Sequence, residues 1–259
     1  KGCGPQAQFY RRRLARAYVE NLHEDYDMPE SQNTLKEAAR VMEENIQADS
    51  ANGNNIRIWF NIVRFLKVDR HQSLQILEEV LYKLNLWIES NNAPIEAYFY
   101  RYIAKFIQLE ESQRLNQSDA LHELTDYLDS MKSHCKMLGA RTITQEWLGN
   151  TGYGLNRLIR NKDMHMMTAS DAVKSLSIQY GRLPGKEGFI SERSSYLNFK
   201  GNEVFFRPAN ISNRISSINE HALVKFGLGF SYDGLRSYYD SIELVSSEEV
   251  EKVDFEVTT

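Results

Sequence analysis

Glu203-Val204-Phe205-Phe206-Arg207 is the stretch whose reading decides the fold. Val204 and Phe206 alternate with Phe205 and Arg207, a period of two that a strand satisfies and a helix does not. Alternation turns Val204 and Phe206 inward and leaves Phe205 and Arg207 on the outer face. Working outward, residues 175–181 read as a strand that ends at Arg182-Leu183-Pro184-Gly185. Residues 188–191 read as another strand. Two more, 223–230 and 235–245, are joined by the turn Tyr232-Asp233-Gly234. Five short strands rich in aromatic and β-branched residues predict a small closed barrel over 175–245. Residues 210–220 form the long connection before its fourth strand, and Phe189 shares the outer face with Phe205.

Upstream, to about residue 136, the period is helical. Leu74, Leu77, Leu81, Leu84 and Ile88 line one helix face, as do Ile95, Phe99, Tyr102, Phe106 and Leu109. Leu121, Leu124, Leu128 and Met131 form a third face, and Leu35, Ala39, Met42 and Ile46 a fourth. Asp69, Pro94, Ser118 and Asn91-Asn92 stand where starts and stops are needed. Trp59, Ile62 and Phe65 match Tyr100, Ile103 and Phe106 at an offset of 41, and the partner helices match at 47. A looser third pair precedes them, over residues 9–22 and 31–48. Helix pairs that bury jointly what none buries alone predict a tetratricopeptide-like repeat over 1–136. Trp59, Phe60, Tyr98, Phe99, Tyr100 and Tyr102 are expected in its core. Arg11-Arg12-Arg13 with Arg16 is expected to form a solvated face or an intramolecular contact.

The fold class is thus α+β: helical repeats over 1–136, a junction over 137–174, the barrel over 175–245 and an acidic tail over 246–259. Formal charge is −4, and the tail alone holds one Lys against five acids. The two folded parts are near neutral, so nucleic-acid affinity would come from local patches rather than from a global field. No window has the length and apolarity of a membrane span. Cys3 and Cys135 are too few for a disulfide scaffold, which fits a reducing cytoplasm. The opening Lys1-Gly2-Cys3-Gly4 reads as an excised piece of a longer polypeptide.

Lys186-Glu187-Gly188-Phe189-Ile190, then Val204-Phe205-Phe206-Arg207 with Ile211 after it, resembles the cold-shock family. There a Lys-Gly-Phe-Gly-Phe-Ile strand precedes a Val-Phe-Val-His strand and a Ser-Ala-Ile turn. Val224-Lys225-Phe226 and residues 236–238 fall where that family places its fourth and fifth strands. The resemblance implies a barrel of oligonucleotide-binding type whose outer aromatics stack unpaired bases, each worth about 1–3 kcal/mol. It implies Phe189, Phe205, Arg207, Lys225 and Arg236 as the platform, with single-stranded RNA or DNA as partner. Glu187 departs from the family by standing at its first stacking Phe, and Arg207 by replacing its His. The Arg207 guanidinium retains the capacity to stack or to pair with phosphate.

Between the halves, Glu146-Trp147-Leu148-Gly149 is followed by Gly154-Leu155-Asn156-Arg157-Leu158, and Leu228-Gly229-Phe230-Ser231-Tyr232-Asp233-Gly234 comes later. With the order of elements, these resemble the C-terminal part of large P-loop NTPases of the signal-transduction class with numerous domains. The group in question is like sterile alpha motif domain-containing protein nine and its bacterial relatives. That resemblance implies a regulatory or sensing segment of a defence or innate-immunity NTPase, with a protein partner or an upstream NTPase domain.

Catalytic chemistry finds no support in the residues. No Gly-x-x-x-x-Gly-Lys-[Ser/Thr] loop is present, and residues 149–154 read as a structural turn. His122, His134 and Cys135 lack the spacing of a closed zinc site. Met164-His165-Met166-Met167 reads as a hydrophobic linker. Glu43-Glu44, Glu78-Glu79 and Glu110-Glu111 read as solvated helix faces, and there is no Gly-x-Ser-x-Gly elbow. The expectation is a non-catalytic module without metal or cofactor.

Overall fold

The structure, a computed structural model, describes residues 4–20, 28–66, 69–90, 92–138, 145–185, 195–207, 221–238 and 241–245. The chain divides into two compact units. One comprises Lys1–Arg141 with Gly152–Arg157, the other Thr142–Thr151 with Leu158–Thr259.

The first unit is helical: α1 (Pro5–Glu20), α2 (Pro29–Ala48), α3 (Gly53–Val63), α4 (Arg70–Glu89), α5 (Ile95–Glu111) and α6 (Ser118–Leu138). Local chemistry sets the boundaries. Asn52 caps α3 by accepting from Asn54 N at 3.2 Å. Asp69 accepts from His71 N and Gln72 N at 2.9 and 2.8 Å, while Gln72 reaches back in a capping box at the start of α4. Pro94 is the N-cap of α5, one place earlier than the first-turn position. Asn92 takes the left-handed conformation (φ 77°) beyond the end of α4. α3 packs on α1, α2 and α5, and α5 packs also on α4 and α6.

Phe60 stacks on Tyr100 with centroids 4.0 Å apart, and Trp59 meets Trp87 edge-on at 4.7 Å. Of the six aromatics expected in the core, Tyr98 alone is half-buried, stacked on His134 at 4.3 Å. Arg12 donates to the buried Asn55 at 3.2 Å, Arg11 pairs with Glu44 at 3.6 Å and Arg13 lies over the Phe9 ring at 5.5 Å, so most of the basic run is turned to intramolecular contacts.

Two carboxylate pairs are not solvated faces. Glu43 accepts from the Trp59 indole at 3.0 Å and from Lys83 at 2.7 Å. Glu111 accepts from Ser73 Oγ at 2.5 Å and from the backbone N–H of Gly154, and Glu110 pairs with Arg157 at 2.6 Å. Asn156 completes the attachment by donating to the carbonyls of Arg64 (2.5 Å) and Leu66 (3.2 Å). The Gly152–Arg157 segment, which ends in a 3-10 turn, therefore belongs to the helical unit although it lies between two strands in the chain. Periodicity could not reveal this, because the partners are about forty to ninety residues apart in sequence.

The second unit contains β1 (Glu146–Leu148), β2 (Leu158–Arg160), α7 (Asn161–Met164), α8 (Ala169–Ser175), β3 (Ile178–Arg182), β4 (Ser195–Phe199), β5 (Asn202–Phe206), β6 (Leu223–Ser231), β7 (Gly234–Ser237) and β8 (Glu243–Leu244). The path β6-β3-β4-β5-β7 closes on itself through β6–β7, giving a five-stranded barrel. Its pairings are antiparallel except β5–β7, which is parallel. Leu197, Phe199, Val204, Phe206, Val224, Phe226, Leu228, Phe230 and Leu235 fill the interior.

Three strand assignments need correction. Residues 175–181 do not form one strand, because α8 runs to Ser175 and β3 begins at Ile178. Residues 235–245 split into β7 and β8, with Tyr238 N donating to Gly227 O at 2.8 Å between them. The described strand between β3 and β5 is Ser195–Phe199, which the sequence reading passed over. Residues 188–191, 210–220 and 246–259 lie outside the described residues.

Outside the barrel sits a second small core of Trp147, Met164, Ala172, Leu176 and Tyr238. It packs where β6 carries glycine on its outer face. A Cβ on Gly227 would lie 2.5 Å from Leu176 Cδ1, and one on Gly229 would lie 2.2 Å from Trp147 Cε3. Gly229→Ala is therefore expected to displace a buried indole and to lower the stability of this unit by about 1–3 kcal/mol, the cost of overpacking. Urea unfolding followed by circular dichroism checks this; an unchanged midpoint contradicts the packing.

Candidate nucleic-acid interface

The β4–β5 hairpin turns through Lys200 and Gly201, both left-handed (φ 48° and 79°), which is the two-residue turn that matches strand twist. This turn sets the register. Tyr196 lies opposite Phe205, and Phe205 opposite Arg236 across the parallel pair. Arg236 in turn faces Gly229, and Gly229 faces Trp147. The neighbours of these residues in each barrel strand, Leu197, Val204, Phe206, Leu235, Leu228 and Phe230, are buried in the barrel. The row Tyr196–Phe205–Arg236–Gly229–Trp147 thus runs along the outer face, across the strands.

Side chains are in contact along most of this row. Tyr196, 37% exposed, meets Phe205 edge-on at 5.9 Å. The Arg236 guanidinium carbon lies 5.7 Å from the Phe205 ring centre and 6.0 Å from that of Trp147, within cation–π range. Trp147 covers Gly229, meets Tyr238 edge-on at 5.1 Å and donates its indole N–H to Asn161 at 3.0 Å. Arg236 Nε is buried with no hydrogen-bond partner among the described residues. Burial, and secondarily repulsion from Arg207, push the Arg236 guanidinium below its ordinary pKa, against a smaller opposing pull from Asp233. A guanidinium nevertheless stays charged at neutral pH.

Of the predicted platform residues, the row unites Phe205 and Arg236, with Arg207 exposed just beyond the end of β5. Val204 and Phe206 point inward, as alternation requires, and Phe205 is half-buried outside. Lys225 is also on an outer face, but in another row, between Tyr180 and Glu243, and it is ion-paired with Glu243 at 3.2 Å. Phe189 lies outside the described residues. The residues that sequence reasoning missed are Tyr196 and Trp147. The signal for Tyr196 was present in the alternation of Ser-Tyr-Leu-Asn-Phe, but its turn, Lys-Gly, lacks the Asn or Asp that usually announces a hairpin.

Such a row offers two ring edges or faces for bases and two guanidiniums for phosphate. Described residues of the helical unit also line clefts. One, about 850 Å³, is lined by residues including Asp49, Glu96, Tyr98 and His134; the other, about 630 Å³, by residues including Trp59, Glu43 and Lys83. Among the described residues no group of three His, Cys, Asp or Glu side chains could hold a metal ion, and no helix is long and apolar enough to cross a membrane. Comparison with known proteins returned no matching family model, curated protein or solved structure.

Arg207→Gln leaves Arg236 without its close like charge. The Arg236 pKa is expected to rise, because one of the two causes that lower it is removed. The measurement is ¹⁵N NMR of the Arg236 guanidinium under alkaline titration, and an unmoved or falling value contradicts the proximity of the two arginines.

Proposed function

We propose that this chain is a non-catalytic binding module in which a tetratricopeptide-like helical scaffold accompanies a barrel of oligonucleotide-binding type, and that the barrel binds single-stranded nucleic acid on its outer face. The observation that carries the reading is the contact of Tyr196, Phe205 and Arg236 in one row, with Arg207 beside it. The barrel type is supported by the closed order of five strands with a single parallel pairing. Aromatic faces bind any base, and arginines supply a local positive field that the near-neutral unit lacks as a whole.

Fluorescence anisotropy with labelled single-stranded RNA and DNA at two salt concentrations tests it. Micromolar or tighter binding is expected, weakening as salt rises. Phe205→Ala should cost about 1–3 kcal/mol, the worth of one stacked base. No binding at tens of micromolar protein, on the order of the non-specific affinities that basic surfaces reach, contradicts the reading.

A second reading is a regulatory or sensing segment of a defence-type NTPase, held in the cytoplasm and acting through protein contacts. One observation favours it: the two motifs behind that resemblance pair in the sheet, Glu146 with Phe230 and Trp147 with Gly229. Their joint presence then has an architectural meaning, a Trp seated on a Gly. This reading predicts a Gly-x-x-x-x-Gly-Lys-[Ser/Thr] loop N-terminal to Lys1 in the parent polypeptide; the parent gene's sequence checks it, and a parent without that loop contradicts it.

A further inference from the structure

The row of outer-face residues is open at Tyr196 and obstructed at the other end. Trp147 lies directly on Gly229, held by Tyr238 and by its hydrogen bond to Asn161, and is 3% exposed. A strand that stacks successive bases on Tyr196 and then Phe205 travels along the row toward this indole and cannot pass over it. The last charged group in the row before the wall is the guanidinium of Arg236, on which the exposed Arg207, two residues beyond Phe205 in the chain, acts as a like charge. Neither forms an ion pair among the described residues, and Arg236 Nε has no hydrogen-bond partner there. A charged guanidinium half-buried against two rings, with a like charge acting on it, is the arrangement an anion relieves.

Resting on the nucleic-acid reading above, we propose that the site takes the phosphorylated end of a single strand rather than its interior. The terminal bases would stack on Phe205 and Tyr196, and the terminal phosphate would bridge Arg236 and Arg207 against the Trp147 wall. A terminal phosphate monoester carries about −1.5 to −2 charge near pH 7, against about −1 for an internal diester, so it matches two arginines better. Asp233 is the acid that acts on Arg236 from the adjoining turn; it is exposed at the protein surface.

The experiment compares four short single-stranded probes on the intact chain by anisotropy: linear with a 5′-phosphate, linear with a 3′-phosphate, linear with hydroxyl ends, and circular. One phosphorylated end is expected to bind about tenfold or more tightly than the hydroxyl-ended and circular forms, the scale of a charge-assisted hydrogen-bond pair. Arg207→Gln is expected to weaken binding to every probe and to remove the difference between the phosphorylated and hydroxyl-ended forms; a difference that survives this substitution at its full size overturns the inference. Equal affinity for all four probes, or a linear preference indifferent to phosphate, overturns the end-binding inference and leaves the nucleic-acid reading standing. Absence of binding to every probe overturns both.

Discussion

The indole of Trp147 occupies the space that Gly229 leaves empty, and the arrangement of the barrel unit follows from that contact. β6 alternates Phe226, Leu228 and Phe230 inward with Gly227 and Gly229 outward. A strand built this way buries both faces: the phenylalanines close the barrel interior, and the glycines admit Leu176 and Trp147 from outside. Burying an indole removes 150–250 Å² from water, about 4–6 kcal/mol as an upper bound. The outer core of Trp147, Met164, Ala172, Leu176 and Tyr238 covers β6, while Tyr196, at the other end of the row, and Arg207 remain exposed. The part of the outer face left uncovered is thus bounded by the tryptophan.

Much of this architecture was legible in the sequence, for reasons tied to particular residues. Val204 and Phe206 against Phe205 and Arg207 announced a strand with one wet face, and the burial follows that alternation. Asp69 announced the start of α4 because a carboxylate there satisfies backbone donors that a helix leaves unmet. Leu77, Leu81, Leu84 and Leu124 kept helical spacing and are buried. Tyr232-Asp233 marked the turn between β6 and β7.

Pairings between distant residues were not legible, and the site depends on them. The short strand 146–148 has no alternation to display; it exists because β2 and β6 flank it. Tyr196 and Arg236 lie forty residues apart and reach the same surface only through the order in which β4, β5 and β7 pair. Glu110 and Glu111 looked like ordinary solvated acids, since neither Arg157 nor Gly154 is a helical neighbour. Charge composition misled in the same way: a near-neutral unit still sets Arg207 and Arg236 as interacting like charges, against a smaller pull on Arg236 from Asp233.

On the proposed reading, unpaired bases and phosphate meet the protein on one defined row of the barrel. Backbone and arginine side-chain NMR spectra of the ¹⁵N-labelled chain, recorded while adding a short oligouridylate, test it most directly. Shifts are expected to concentrate at Tyr196, Phe205, Arg207 and Arg236, including the Arg236 Nε–H resonance, with β8 and α6 unmoved. Shifts confined to the helical unit, or spectra unchanged at saturating oligonucleotide, would contradict it.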